Sequence, residues 1–106
     1  MKLLKQLANP PKEFTAIPFW FLNGDLTDAE LRRQLEDFAD HGIYGVVLHP
    51  RMGLAARIKY LGSTYFHYIR TAVETAAALD MKIVLYDEGM YPSGSACGLV
   101  VKDHPE

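Results

Sequence analysis

The chain has 106 residues, of which 49% are hydrophobic and 23% charged, so it is long enough for one globular domain and too short for two. Eleven basic and thirteen acidic residues give a net charge of -2, without the basic excess that is typical of nucleic-acid-binding proteins. The single cysteine, Cys97, cannot form an internal disulfide, which excludes a secreted disulfide scaffold.

The N-terminal residues contain short apolar pieces only, without the continuous apolar core of a signal peptide. No apolar run approaches the ~18 residues of a membrane span. We therefore expect a cytoplasmic protein, or an internal piece of a larger one, with no membrane partner. Residues 9–13 contain two consecutive prolines and predict a stiff, non-helical segment, which ends an N-terminal lead-in over 1–13. The ordered domain is then expected to cover 14–106.

The first strand and helix follow this lead-in. Residues 17–22 form a short, wholly apolar run, which predicts a buried strand. Thr27 and Glu30 have the spacing of a capping box, in which each side chain accepts from the backbone of the other. Apolar residues at helical spacing predict a helix over 28–41, and Gly42 stands where a left-handed residue usually ends a helix.

The same pattern then repeats. Residues 44–48 predict a second strand, and after a longer loop Ser63 is the expected N-cap of a helix reaching Asp80. Residues 82–86 predict a third strand, followed by a loop over 89–98 that is rich in glycine and serine. Helical spacing places the buried stripe of the second helix at Phe66, Ile69, Val73 and Ala76.

Strands that are apolar on both faces, alternating with amphipathic helices, predict parallel βαβ units. The expected fold is therefore α/β with a parallel βαβαβ arrangement. Polar residues follow the C-terminal end of each strand, which is where a (β/α)₈ barrel carries its active site. Together with short αβ and long βα connections, this favours the first three units of an incomplete TIM barrel over a separate flavodoxin-like sheet.

The strand-end polar residues are candidates for a binding site. His49 could hold loops together, donate to a substrate or bind a metal. Asp87 and Glu88 are adjacent, so their side chains should point to opposite faces. One is expected to line the mouth of the site, and the other to cap the following loop or pair with Arg51. These two carboxylates alone do not meet the separation of ~5 to 9.5 Å, across a scissile bond, that glycoside hydrolysis uses.

The loop 89–98 does not match a known catalytic loop. It differs from a G-x-S-x-G nucleophile elbow because Ser95 is one position early, and no histidine nearby could activate Cys97. We expect this loop to line the substrate side of the fold, where Tyr91 could stack on a sugar ring. Phe19 and Trp20 are assigned to the core.

Three strand-end segments resemble the N-terminal part of the catalytic (β/α)₈ barrel of bacterial α-L-rhamnosidase-like glycoside hydrolases. They are FWFLNGDL at 19–26, GVVLHPRMGL at 45–54 and YDEGMYPSGSACG at 86–98. The resemblance covers nearly all of 14–106 but only the first three βα units, and Asp80 replaces a glycine that is usual before the third strand. It implies that the catalytic acid and base lie on later strands. It also implies sugar binding at the strand ends by Asn23, His49, Arg51, Asp87 and Glu88, beside a loop that carries Tyr91 and Ser93.

The resulting hypothesis is a fragment of a glycoside hydrolase barrel that binds carbohydrate and is inactive alone, with no cofactor and no metal. One alternative is a non-catalytic carbohydrate-binding or assembly module. Another is a metal-dependent barrel isomerase or hydrolase that uses His49 and Glu88. Because the helices can cover one face of the sheet while the strands are apolar on both, the chain is also expected to self-associate as a homo-oligomer.

Overall fold

The computed structural model describes residues 1–106 and contains a single three-stranded sheet. In chain order the elements are α1 (Lys2–Ala8), a 3₁₀ turn (Lys12–Phe14), β1 (Phe19–Gly24), α2 (Asp28–Asp40), β2 (Gly45–Leu54), α3 (Ser63–Ala78), β3 (Lys82–Leu85), a second 3₁₀ turn (Ala96–Gly98) and α4 (Leu99–Asp103). The strands are hydrogen-bonded in the order β1-β2-β3, and both pairs are parallel. The predicted α/β class and the parallel βαβαβ arrangement are therefore confirmed.

The helix α2 has the predicted N-cap and the predicted C-terminal glycine, but only half of the predicted capping box. The Thr27 side chain accepts a hydrogen bond from the backbone N–H of Glu30 at 3.2 Å. The reciprocal half of the capping box is absent, because the Glu30 carboxylate accepts from the Arg33 and Gln34 side chains instead. Gly42 follows the helix with φ +78°, a conformation that residues with a Cβ adopt only under strain.

The α3 helix differs from its prediction at the N-cap and on its buried face. Its N-cap is Gly62 rather than Ser63. Phe66 and Val73, predicted in the buried stripe, are 53% and 42% exposed. The residues that α3 buries are Tyr65, Thr71, Ala72 and Ala76. Of the predicted stripe, Ala76 is therefore confirmed, whereas Phe66 and Val73 are not, because α3 packs against both α2 and the sheet, where small residues allow close approach.

The strand boundaries are shifted relative to the apolar runs. β1 begins at Phe19, after Pro18, whose carbonyl accepts from the Val47 N–H at 2.9 Å. β2 continues six residues beyond its predicted end, to Leu54, which pairs with Gly24 beyond an irregularity in the register. The predicted strand 44–48 therefore contains only the apolar half of β2.

The core lies between the sheet and the two helices that connect its strands. Trp20 and Leu22 of β1 and Leu48 of β2 join α2 and α3 residues in one buried cluster. The opposite side of the sheet has no covering layer, and only 17 of the 106 residues are buried as a result. We call this side the open face, and it consists of Ile17, Phe19, Phe21, Val47, His49, Val84 and Tyr86.

The lead-in 1–13 contains α1 and the start of the first 3₁₀ turn, so the predicted non-helical segment 9–13 is non-helical only up to Pro11. No residue of α1 is buried. The segment is connected to the domain through Lys12, whose ammonium lies 2.8 Å from the Asp80 carboxylate and 4.4 Å from the centre of the Tyr44 ring. No helix has both the length and the apolar composition needed to cross a bilayer.

Candidate functional site

The parallel strands bring the predicted polar residues to one end of the sheet. Asn23 is the fifth residue of the six in β1, while His49 and Arg51 are the fifth and seventh of the ten in β2. Asp87 and Glu88 follow β3 by two and three residues. Because Phe21 pairs with His49, and Leu48 with Leu85, these positions share the carboxyl edge of the sheet.

A cleft of about 210 Å³ lies on the open face at this edge. Five of its six lining residues are aromatic or carry an imidazole, and they come from β1, from β2 and from the segment that follows β3. Alternation along β1 places Phe19 and Phe21 on the cleft side and Trp20 on the core side. Phe19 is 55% exposed, so its assignment to the core was wrong, whereas Trp20 is buried as expected. The full lining is Phe19, Phe21, His49, Arg51, Tyr86 and Tyr91.

His49 forms the floor of the cleft. Its side chain is almost completely buried, with 2% exposed, and its ring centre lies 3.9 Å from that of Tyr86. The rings of Phe19 and Phe21 are 5.5 and 5.3 Å away. The Nε2 atom has one hydrogen-bond partner, the carbonyl oxygen of Met90 at 3.4 Å. The buried Nδ1 atom has no hydrogen-bond partner. The imidazole thus contacts the loop 89–98 weakly and keeps one nitrogen unsatisfied.

Arg51 lies at the rim of the cleft with its guanidinium free. The guanidinium carbon is 4.7 Å from the centre of the Phe21 ring, within the range of a cation–π contact. Arg51 takes part in none of the five ion pairs of the chain, so neither Asp87 nor Glu88 is its partner. All five of its N–H donors therefore remain available to a ligand.

Glu88 holds the loop 89–98 in place. One oxygen accepts from the backbone N–H groups of Gly89 and Cys97, and the other accepts from the N–H and the hydroxyl of Ser95 at 2.9 and 2.7 Å. The side chain is buried, and these bonds, the one from Ser95 above all, lower the pKa of Glu88 to about 2. The four donors use both carboxylate oxygens, so Glu88 can neither bind a metal nor accept from a substrate while these hydrogen bonds are formed.

The loop passes close to the domain at Gly89. A Cβ atom there would lie 2.5 Å from the Cys97 sulfur and 2.9 Å from a ring carbon of Tyr60, so only glycine fits. The hydrogen bond with Glu88, followed by desolvation, raises the pKa of the Cys97 thiol. A raised pKa disfavours the thiolate, which agrees with the sequence argument against a cysteine nucleophile.

The remaining predicted residues are exposed. Asp87 and Ser93 form no side-chain hydrogen bond, and 74% of Tyr91 is exposed although it lines the cleft. Ser95 rather than Ser93 binds Glu88. The sequence contained one signal for this contact, a strand-end carboxylate followed by small residues, but it could not select between the two serines.

A set of hydrogen bonds donated by Arg57, which the sequence did not predict, joins the loops that follow β1 and β2. Arg57 donates to the Asp25 carboxylate at 2.6 Å, to the Leu26 carbonyl at 2.9 Å and to the Tyr68 hydroxyl at 3.1 Å. These bonds connect the first loop, the second loop and α3. They hold the backbone beside Asn23 at the edge of the site.

The chain contains no group of three or more His, Cys, Asp or Glu side chains placed to hold a metal ion. Comparisons with protein-family models, with curated proteins and with solved structures find no match to this chain. The resemblance to α-L-rhamnosidase-like hydrolases therefore stays a prediction from the strand-end motifs.

Proposed function

We propose that this chain forms the first three βα units of a (β/α)₈ glycoside hydrolase barrel and binds carbohydrate at the carboxyl ends of its strands. The observation that carries the proposal is the cleft, in which half-exposed aromatic rings surround one end of the sheet beside an unpaired guanidinium. Aromatic faces suit the C–H faces of a pyranose, and a few convergent donors orient its hydroxyls.

The arrangement of the layers is compatible with the barrel part of the proposal. The two connecting helices, α2 and α3, pack against each other on one side of the sheet, and the strands follow in sequential order. This arrangement agrees with a barrel, whose helices lie only on the outside. One half of a doubly wound sheet has the same strand order and a single helix layer, so it is the strand-end motifs that favour the barrel. The open face would then correspond to the packed interior of the barrel.

The residues at the site divide into ligand contacts and positioning residues. Arg51 donates to sugar hydroxyls, and Tyr91 packs against the ring, whereas Asn23 lies at the same end of the sheet but outside the lining of the cleft. Glu88 and His49 act indirectly, since they bind the loop that carries Tyr91. The catalytic acid and base are assigned to units beyond these three.

The binding part is tested by titrating ¹⁵N-labelled protein with L-rhamnose and methyl α-L-rhamnoside. We expect saturable shifts at the strand ends and in the loop 89–98, with millimolar affinity. Tyr91→Ala should abolish them. The matched control is Phe14→Ala, because Phe14 is 69% exposed and precedes β1, at the opposite end of the strand. Shifts that are absent, or lost equally in both variants, would contradict sugar binding at this cleft.

The barrel part has a separate test. The reading frame of the gene beyond the codon for Glu106 should encode further alternating strands and helices. A stop codon at that point would overturn the assignment to a barrel while leaving sugar binding to be judged by the titration.

A further inference from the structure

The open face leaves a continuous apolar surface in water. Its exposed fractions are 48% for Ile17, 55% for Phe19, 44% for Phe21 and 43% for Val84, and Tyr91 at its edge is 74% exposed. The segment that could have folded over it does not, because α1 buries none of its residues. Apolar surface of this kind on one side of a sheet marks an association surface.

The area of this surface matches what a stable dimer needs. An aromatic side chain covers ~200 Å² and an aliphatic one ~100 Å², so these five side chains expose about 450 Å² in each copy. Two copies packed face to face would remove about 900 Å² of apolar area from water. A standard interface of ~1,600 Å² is about 60% apolar, which is close to the same area.

Charge selects the orientation of two such faces. Arg51 lies near the carboxyl end of β2, and Lys82 is the first residue of β3. A two-fold axis parallel to the strands would bring the two Arg51 groups together. An axis across the strands reverses the strand direction of the second copy, so it separates the two Arg51 groups and brings Lys82 towards the strand end that carries Asp87.

We infer that the open face is an interaction surface for a second copy of this chain, which packs on it with antiparallel strands about a two-fold axis. The contact is isologous, since each residue meets the same surface of the other copy. The inference concerns the 106-residue chain by itself, because in a complete barrel the proposed further units would cover this face in place of a second copy. It has one consequence for the proposed function, because the cleft lies on the same face, so a bound sugar and a second copy exclude each other.

The experiment is sedimentation velocity and light scattering on the 106-residue chain at micromolar concentrations. We expect a particle of twice the 11.9 kDa chain mass. Phe19→Glu should yield the monomer. The control Phe66→Glu changes a phenylalanine with nearly the same exposure, 53%, on the outer surface of α3, and it should leave the dimer intact.

Folding of the variants is checked by far-ultraviolet circular dichroism. If Phe19→Glu does not fold, intermolecular nuclear Overhauser effects in a mixture of labelled and unlabelled wild-type chains decide the matter, since Phe19 and Val84 should contact the second copy. A wild-type chain that stays monomeric would overturn the inference and indicate that another segment or protein covers the face. A dimer that persists in Phe19→Glu would also overturn it, and would indicate pairing through the β1 or β3 edge.

Discussion

Replacing His49 with phenylalanine is expected to stabilise the chain. The imidazole is 2% exposed, and its Nδ1 atom is buried without a hydrogen-bond partner. A buried polar group left in this condition costs about 1–3 kcal/mol. Phenylalanine keeps a planar ring among the rings of Phe19, Phe21 and Tyr86 and removes the unsatisfied nitrogen.

The losses on substitution are smaller than this gain. The contact of Nε2 with the Met90 carbonyl is 3.4 Å long, so it contributes less than the ~1 kcal/mol of a typical hydrogen bond. Phe19 and Phe21 are about half exposed and can move to admit the larger ring, which keeps overpacking strain low. The free energy of unfolding should rise by about 0.5–1.5 kcal/mol, and the melting temperature by about 4–8 °C per kcal/mol.

Thermal and urea denaturation at neutral pH, followed by circular dichroism, measure the change. His67→Phe is the control, because His67 is largely exposed and its Nε2 atom already lies 3.0 Å from both Asp28 carboxylate oxygens. That variant should be no more stable than the wild type. Destabilisation of His49→Phe by more than ~1 kcal/mol would refute the argument, since it would mean that Nδ1 has a partner in solution.

Four other outcomes are expected. The pKa values of Glu30 and Glu88 are about 2 in the fold and that of Asp28 is also lowered, so their stabilisation is complete above the ordinary carboxyl pKa of 4.5. This stabilisation should be lost as the pH falls towards 2, so the urea concentration at the unfolding midpoint should decrease between pH 7 and pH 2. A midpoint that does not change with pH would contradict the argument. Glu88→Gln should speed amide exchange and proteolysis within 89–98 but not in the sheet, because an amide group cannot accept from all four donors; unchanged exchange there would remove its role as the loop anchor. Thr27→Ala should lower the free energy of unfolding by about 1 kcal/mol through loss of the N-cap, with no change in loop exchange. The 106-residue chain should not turn over aryl glycosides, and turnover that Glu88→Gln abolishes would show that the catalytic pair has been misplaced.

The elements that the sequence predicted well depend on local interactions. Thr27 caps α2, and Gly42 adopts the left-handed conformation after that helix, with φ of +78°. Such features need only a few neighbouring residues, so their residue types indicate them directly. The parallel order of the strands followed from the alternation of strands and helices, because parallel strands need crossover connections.

The site was predicted less completely, since its contacts join residues far apart in the chain. The wholly apolar run 17–22 did not reveal that Trp20 would face α2 and Phe19 the cleft. It also could not show that Glu88 would be occupied by Ser95 and two backbone N–H groups, or that Arg57 would connect two loops. The buried face of α3 was predicted only in part for the same reason: Ala76 is buried as predicted, but packing against α2 and the sheet buries Tyr65 and Ala72 and leaves Phe66 and Val73 exposed.

By itself the sequence determined the α/β class, the parallel strands and the edge of the sheet at which the polar residues gather, because hydrophobic period and capping act over a few residues. The tertiary structure decided which of those residues remain free to bind. Arg51 and Tyr91 stay available, Glu88 is held by the loop, and His49 is enclosed by aromatic rings. The physical reason is that the burial and the hydrogen-bond partners of these side chains depend on contacts between three strands and one loop. Residues far apart in the chain make these contacts, so the sequence of one segment does not predict them.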